Sequence, residues 1–323
     1  MMRLLLSCCL LLPLLAYAAD PSYAVLEKVA GRVSFYDRDF NRIGEVKVGA
    51  FPHEAALSPD RRTLYVSVNG VLWMTEDGRG NNTVAVVDVP AMKKTADIDL
   101  GKFHRPHGIT FDPKSRTVLA TTERPFGLVA IDPAARKVTR EYDVQGKSPH
   151  MVAVTADGTH AWVSNTDSNS IAVISIKQGT ATIIPTGEKP QGGVFSPDGS
   201  RFYVTLGDTG ALAVIDTKTM KEVTRIESGK NTGRVALTPD GRTLVYNTGD
   251  SIAFADTQSL KQLARSPVSG RPMSLTMTRD GKLAFAGIQE NDKLIVVDVA
   301  NRKIAREVTL PKGSGPDPVI PID

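Results

Sequence analysis

The sequence predicts an all-β protein, a seven-bladed β-propeller whose last blade combines N-terminal strands with one C-terminal strand. Three observations predict it: a repeated stretch, four β-rich runs in each full repeat, and a partial repeat at each end. The stretch usually opens on proline, continues as an apolar run and closes on a turn, as in PQGGVFSPDG from Pro190. Its copies begin at positions 52, 106, 149, 190, 232, 272 and 316. The spacings are close to the ~40–45 residues of a four-stranded blade.

Each full repeat contains four short β-rich runs bounded by turn residues, the pattern of one blade. In the repeat that opens at Pro190, the later runs begin at Arg201, Ala211 and Lys221. The third run ends on aspartate at the same place in five repeats. We expect these carboxylates to accept hydrogen bonds from the following turn rather than to act in catalysis. They are Asp88, Asp132, Asp216, Asp256 and Asp298.

The two ends of the chain complete the count of blades. Residues 23–48 contain three β-rich runs, and the fragment from Pro316 contains only a first run. Three strands from the N-terminal end and one from the C-terminal end make a seventh blade. Closing the ring in this way removes free sheet edges, which otherwise invite aggregation.

The first 18 residues read as a secretory signal peptide. Arg3 precedes an apolar run from Leu4 to Leu15, and Ala16-Tyr17-Ala18 resembles a cleavage site. We therefore expect residues 19–323 to form a single propeller domain in a periplasmic or secreted protein. Both cysteines, Cys8 and Cys9, lie in the leader, so thiolate chemistry is not expected after cleavage. No later apolar run approaches the ~18 residues of a membrane span. We expect a monomer.

One repeat is longer than the others. About ten extra residues fall between the second and third runs of the first repeat, in the segment 71–81, which includes Trp73 and Met74. In an up-and-down blade this loop lies on the same face as the start of the first strand. We expect the insertion to overhang the mouth of the central channel.

The motifs resemble those of the YVTN-type β-propeller repeat family. Tyr65-Val66-Ser67 and Tyr203-Val204-Thr205 carry the resemblance, together with the surrounding Ser-Pro-Asp-Gly and Val-Ile-Asp spacing. The resemblance covers nearly the whole chain after the leader. It implies the fold and leaves function open, because one scaffold carries many activities.

The residue after each opening position gives the functional hint. In four neighbouring blades this position holds Asp317, His53, His107 and His150. First strands line the channel, so these side chains are candidates for a metal site with zinc, copper or iron. The alternative is a structural ring of imidazoles that bond loop carbonyls.

Other candidates are weaker. Glu123, Glu76 and Asp77 belong to the upper loops, where a carboxylate can act as a general base or simply face solvent. Arg105, Lys189 and Arg271 precede opening positions and are candidates to receive an anionic ligand. Strand alternation predicts that Glu54 points away from the channel.

Three functions remain open at this point. The first is an exported binding protein with a His-rich metal or small-ligand site at the channel mouth. The second is a metal-dependent enzyme at the same site, with lactonase- or lyase-like hydrolysis or copper redox chemistry. The third is a platform for a protein or polymer partner. A formal net charge of +4 does not argue for nucleic acid.

Overall fold

The computed structural model describes residues 20–322. They form seven four-stranded antiparallel sheets, so the predicted all-β, seven-bladed propeller is confirmed. The predicted signal peptide, residues 1–18, lies outside the described residues. Between residues 20 and 322 no helix has the length and apolar character to cross a bilayer.

The strands are short and follow one another with few helical residues between them. In chain order they are β1 (Tyr23–Glu27), β2 (Arg32–Tyr36), β3 (Arg42–Lys47), β4 (Pro52–Leu57), β5 (Thr63–Val68), β6 (Thr83–Asp88), β7 (Lys93–Asp99), β8 (His104–Asp112), β9 (Thr117–Arg124), β10 (Phe126–Asp132), β11 (Lys137–Tyr142), β12 (Pro149–Val154), β13 (His160–Asn165) and β14 (Ser170–Ser175). They continue as β15 (Ala181–Pro185), β16 (Pro190–Phe195), β17 (Arg201–Leu206), β18 (Ala211–Asp216), β19 (Lys221–Glu227), β20 (Val235–Leu237), β21 (Thr243–Asn247), β22 (Ser251–Asp256), β23 (Gln262–Pro267), β24 (Thr276–Met277), β25 (Leu283–Ile288), β26 (Lys293–Asp298), β27 (Lys303–Thr309) and β28 (Pro316–Pro321). Two 3-10 helices are Thr166–Ser168 and Gln289–Asn291.

Blades 1 to 6 are built from consecutive groups of four strands, from β4–β7 to β24–β27. Blade 7 has the order β28-β1-β2-β3, so the C-terminal strand is its innermost strand. The pairing runs from Tyr23 opposite Pro321 to Glu27 opposite Pro316. The predicted closure of the ring is therefore confirmed.

The core is divided among the seven contacts between neighbouring blades. Seven clusters of buried apolar side chains each join two adjacent sheets. In one of them, Phe35 of blade 7 packs with Val66 of blade 1, and both are fully buried. The middle strands are buried on both faces, which explains their continuous apolar runs.

The turns have the local causes that their residues predict. In the turn after β16, the Ser196 hydroxyl donates to Asp198 at 2.5 Å. Gly199 adopts a φ of +70°, the left-handed region that glycine enters without steric cost. The five aspartates that close third strands accept bonds from the next turn, as Asp88 does from the Ala91 amide at 2.8 Å. Their predicted structural role is confirmed.

Candidate functional site

A β-bulge at the start of several first strands aims side chains at the channel. In β4, the two residues between Pro52 and Ala55 lie opposite a single residue of β5, Ser67. The same shift occurs in β8, β12 and β16. An extra residue breaks the alternation of side chains and re-aims those beside it. Each ring histidine follows directly after the opening proline, within the bulged segment.

In blades 1 and 2, a hydroxyl of the second strand connects the bulge of its own blade to the histidine of the next blade. Ser67 accepts a hydrogen bond from the Glu54 amide and donates to the His107 carbonyl at 2.7 Å. Thr121 makes the same connection from the Gly108 amide to the His150 carbonyl, also at 2.7 Å. The Ser or Thr of the YVTN-like motif therefore helps to place the neighbouring histidine.

The three histidines meet at the channel mouth, where all are buried. The ring centroids of His53 and His107 are 4.6 Å apart, and those of His107 and His150 are 4.4 Å apart. The predicted convergence of these imidazoles is therefore present in the structure. Their hydrogen bonds decide which ring nitrogens remain available to a ligand.

Backbone carbonyls determine two of the tautomers, because a carbonyl only accepts. His150 Nδ1 lies 3.0 Å from the Gln191 carbonyl, so Nδ1 carries the proton and Nε2 has a free lone pair. His53 Nε2 lies 2.9 Å from the Val71 carbonyl, so Nε2 carries its proton. The unprotonated His53 Nδ1 then faces His107 Nδ1 at 3.3 Å.

A carboxylate determines the third tautomer. His107 Nδ1 lies 2.9 Å from Glu123 Oε1, so it donates its proton to Glu123 and, at longer range, to His53. Within residues 20–322, neither His107 Nε2 nor His150 Nε2 has a hydrogen-bond partner, and both residues line the same cavity. Two lone pairs are therefore available there.

The imidazoles are neutral at physiological pH. Burial lowers the pKa of His53, His107 and His150 well below the usual value of 6.5. The charge of Lys28 adds to this effect on the pKa of each ring. A neutral imidazole is the form that binds a metal ion, so the electrostatics agree with a ligand role.

The fourth predicted ligand, Asp317, is held by a cation. Its Oδ2 lies 3.2 Å from Lys28 Nζ, and both side chains are buried. Among the described residues, no group of three or more His, Cys, Asp or Glu side chains is spaced to hold a metal ion. As the side chains stand, the four predicted ligands do not form a coordination shell. Metal binding by His53, His107, His150 and Asp317 stays a prediction.

Glu54 does not point away from the channel as alternation predicts. Its Oε1 lies 2.8 Å from Arg234 of blade 5, and both groups are largely buried. The partners are 180 positions apart in the chain. The bulge between Pro52 and Ala55 is the reason that alternation fails here. An ion pair thus joins opposite sides of the channel.

The insertion lies over the cavity, as its position in the repeat predicts. Leu72, Trp73, Met74 and Thr75 all contribute to the lining. Lys28 Nζ lies 5.4 Å from the centroid of the Trp73 ring, a cation–π contact. The Trp73 side chain remains 41% exposed. The insertion therefore forms one wall of the site.

Arg105 holds this insertion and does not face a ligand. It is 1% exposed, and its guanidinium donates to the carbonyls of Glu76 at 2.6 Å and Gly78 at 2.7 Å. It also lies 3.5 Å from Glu123 Oε2. The proposal that Arg105 receives an anion is therefore wrong, because its donors are directed at the backbone of the insertion and at Glu123.

The remaining predicted residues do not share one location in the structure. Arg271 lines the cavity, and within residues 20–322 its guanidinium has no ion-pair partner. Lys189 pairs with Asp167 on the rim. Glu76 accepts a bond from the Trp73 amide at 3.1 Å. Glu123, Glu76 and Asp77 are not among the described residues that line the cavity, so none is placed as a general base there.

The cavity has a volume of about 300 Å³. Ring histidines line one side, Arg234, Arg271 and Met273 another, and the insertion a third. This volume lies at the lower end of the range for ligand pockets, about 300–1,000 Å³. The fold and site together define a propeller with an imidazole-lined cavity at its channel mouth.

Comparison with known proteins gives the family. The family described as the cytochrome D1 heme domain matches residues 28–248. The chain therefore belongs to this family. The resemblance to YVTN-type propellers is compatible with it at the level of the repeated blade. A protein of Salmonella typhimurium described as uncharacterized protein YncE is 25% identical over 198 residues, 60% of this chain and 53% of that protein. The chain thus spans about half the length of the curated relatives it matches.

Solved structures share the fold at low sequence identity. Kuenenia stuttgartiensis hydrazine synthase has a TM-score of 0.74 at 20% identity, covering 91% of this chain and 99% of that one. A functionally unknown protein from Desulfotomaculum acetoxidans has a TM-score of 0.77 at 13% identity, covering 92% and 98%. The dihydro-heme d1 dehydrogenase NirN, solved in complex with DHE, has a TM-score of 0.70 at 18% identity, covering 95% and 77%.

Sequence reasoning missed Lys28 and Arg234, the cations closest to the ring residues. Lys28 follows β1 in the loop over blade 7, and no repeated pattern marks it. Arg234 carried a signal: it is the second residue after its opening position, the place that Glu54 holds in the first repeat. A comparison of the repeats at this position could have suggested that Glu54 and Arg234 form an ion pair.

Proposed function

We propose that this chain is an exported binding protein that holds an iron-containing tetrapyrrole at the mouth of its propeller channel. The observation that carries the proposal is the pair of buried, neutral imidazoles, His107 and His150, which line one cavity and whose Nε2 atoms have no hydrogen-bond partner within residues 20–322. Family membership and the NirN complex with DHE support the ligand class. The leader-like residues 1–18 support export.

The residues present fit such a group. His107 and His150 are the residues that would hold the iron through Nε2, because neutral imidazole nitrogen is a common ligand of haem iron. Arg271 and Trp73 line the same cavity and would supply a cation for a carboxylate of the group and an aromatic surface for its apolar part. Lys28 and Arg234 are already paired with Asp317 and Glu54, so they would orient the ligand rather than neutralise it. When bound, the iron would supply small-ligand binding or one-electron chemistry.

Titration of iron protoporphyrin IX into the purified protein tests the proposal. The wild type should bind one equivalent, with a shifted Soret band. His107→Ala and His150→Ala should each weaken binding more than tenfold, because each removes a nitrogen ligand. His160→Ala is the matched control, since His160 begins β13 and bonds Thr159. Wild-type binding that is absent, or that equals that of both ring variants, would overturn the proposal.

Titration with metal ions alone separates the alternatives. Binding of zinc, copper or iron that depends on His53, His107 and His150, without haem binding, would favour the bare-ion site and the metal-dependent enzyme. Failure of both titrations would leave the platform for a protein or polymer partner.

A further inference from the structure

Glu123 is a buried acidic residue beside the three histidines, and the proposed function gives it no contact with the ligand. It is the penultimate residue of β9 in blade 2, and its side chain is 4% exposed. Its Oε1 accepts from His107 Nδ1 at 2.9 Å and from Asn69 Nδ2 at 3.2 Å. Its Oε2 lies 3.5 Å from the Arg105 guanidinium. Both oxygens are therefore held by named partners.

We infer that Glu123 is a positioning residue that fixes His107 with Nε2 free toward the cavity and places negative charge behind that imidazole. The inference rests on the proposed function for its ligand, but its first part concerns the protein alone. A carboxylate behind a ligating histidine fixes the tautomer and raises the basicity of the ligand. His150 has only the Gln191 carbonyl behind it, so the two imidazoles are not equivalent donors.

The contact with His53 strengthens the argument. His53 offers an unprotonated Nδ1 to the same His107 proton at 3.3 Å, while its own Nε2 proton goes to Val71. Without the carboxylate, His107 would keep only this longer, neutral acceptor. The energy that separates its two tautomers would then be small. Glu123 is thus the group that commits His107 to a single orientation of proton and lone pair.

Two substitutions, Glu123→Gln and Glu123→Leu, test separately whether Glu123 positions His107 and whether its negative charge acts on that imidazole. The glutamine keeps an amide oxygen that can accept from His107 Nδ1, whereas the leucine offers no acceptor. Histidine-labelled NMR of the protein without ligand should find His107 in the Nδ1–H tautomer in the wild type and in Glu123→Gln. In Glu123→Leu the Nε2–H tautomer should appear. An unchanged tautomer in Glu123→Leu would overturn the positioning role whatever the ligand is.

The charge is tested on the haem-loaded protein by one-electron reduction with dithionite, which converts ferric to ferrous iron without forming or breaking a bond in the protein. Removing negative charge should weaken the preference for ferric iron at least tenfold in Glu123→Gln, a rise of about 59 mV for a one-electron couple. Glu76→Gln is the matched control, because within residues 20–322 the Glu76 carboxylate accepts a bond from the Trp73 amide alone. Equal potentials in all three proteins would overturn the charge role. Loss of haem binding by the wild type would instead overturn the proposed function.

Discussion

At the scale of residues, the site depends on imidazoles that stay neutral because they are buried. The unfolded chain has ordinary histidines, whereas the pKa values of His53, His107 and His150 are well below 6.5 in the folded chain. As the pH falls below about 6.5, the unfolded state therefore binds protons first, and the folded state loses relative stability. Stability linked to these groups is complete above that pH.

This linkage predicts a pH-dependent stability that a single substitution changes. Urea unfolding at pH 7.5 and at pH 5.5 measures how far the free energy of unfolding falls between the two. This fall should be larger for the wild type than for His150→Asn, by up to about 1.4 kcal/mol per pH unit. His160→Asn should behave like the wild type. Burial raises the pKa of Glu54 and of Glu123, which acts in the opposite direction. The difference between variants isolates the imidazole, and identical pH slopes would contradict the prediction.

The turn aspartates act in a separate pH window. Hydrogen bonds from neighbouring hydroxyls and amides lower the pKa of Asp157, Asp198 and Asp280 to about 2. Their contribution is present above the unfolded value of 3.8 and is lost only as the pH falls from there toward 2. They do not affect the comparison at pH 5.5.

At the scale of elements, the insertion of blade 1 is held by the guanidinium of a buried arginine. Arg105 bonds carbonyls at Glu76 and Gly78, and the Val71 carbonyl accepts from His53. The insertion is thus hydrogen-bonded to His53 at its first residue and to Arg105 further along the chain. Glu123 contacts both His107 and Arg105, so the cover and the imidazoles share one network.

Arg105→Met should loosen this cover. The substitution removes the donors to the Glu76 and Gly78 carbonyls and leaves the buried Glu123 carboxylate without its neighbouring cation, so the free energy of unfolding should fall by about 3 kcal/mol. Hydrogen exchange of residues 71–80 should become faster than in the wild type. Arg124→Met, at an exposed neighbouring position, should change neither quantity. Wild-type protection of the insertion in Arg105→Met would contradict its role as the anchor.

At the scale of the whole molecule, stability depends on closing the ring through blade 7. Val319 of β28 is fully buried in the cluster that joins blades 6 and 7, beside Tyr23 and Phe285. This strand brings the C-terminal end of the described chain against the N-terminal strand β1. Packing at this contact should therefore affect the unfolding of the entire propeller.

Val319→Ala should lower the free energy of unfolding by about 2 kcal/mol, because it removes buried methyl groups and leaves a cavity. Val223→Ala is the matched control: Val223 lies on the outer strand of blade 4 and is 48% exposed. Its effect should stay within about 0.5 kcal/mol. Denaturant unfolding followed by tryptophan fluorescence measures both. Equal losses of unfolding free energy in the two variants would show that packing at the ring closure contributes no more to stability than an exposed side chain does.

The sequence alone was sufficient for the architecture. Repeat spacing, turn residues and apolar runs are local patterns, and each blade repeats them, so seven copies identify seven sheets with little ambiguity. The same alignment brought His53, His107 and His150 to neighbouring positions. Equivalent positions in a pseudosymmetric ring must lie close together around its axis, which is why this part of the site was predictable.

Only the tertiary structure decided what those residues can do. Which imidazole nitrogen is free depends on acceptors such as Val71, Gln191 and Glu123, and these are set by loops that do not repeat. The pairing of Glu54 with Arg234 depends on a bulge, which strand alternation does not anticipate. The physical reason is that hydrogen bonds and ion pairs act over about 3 Å between residues far apart in sequence, whereas repeat patterns record only which positions are equivalent.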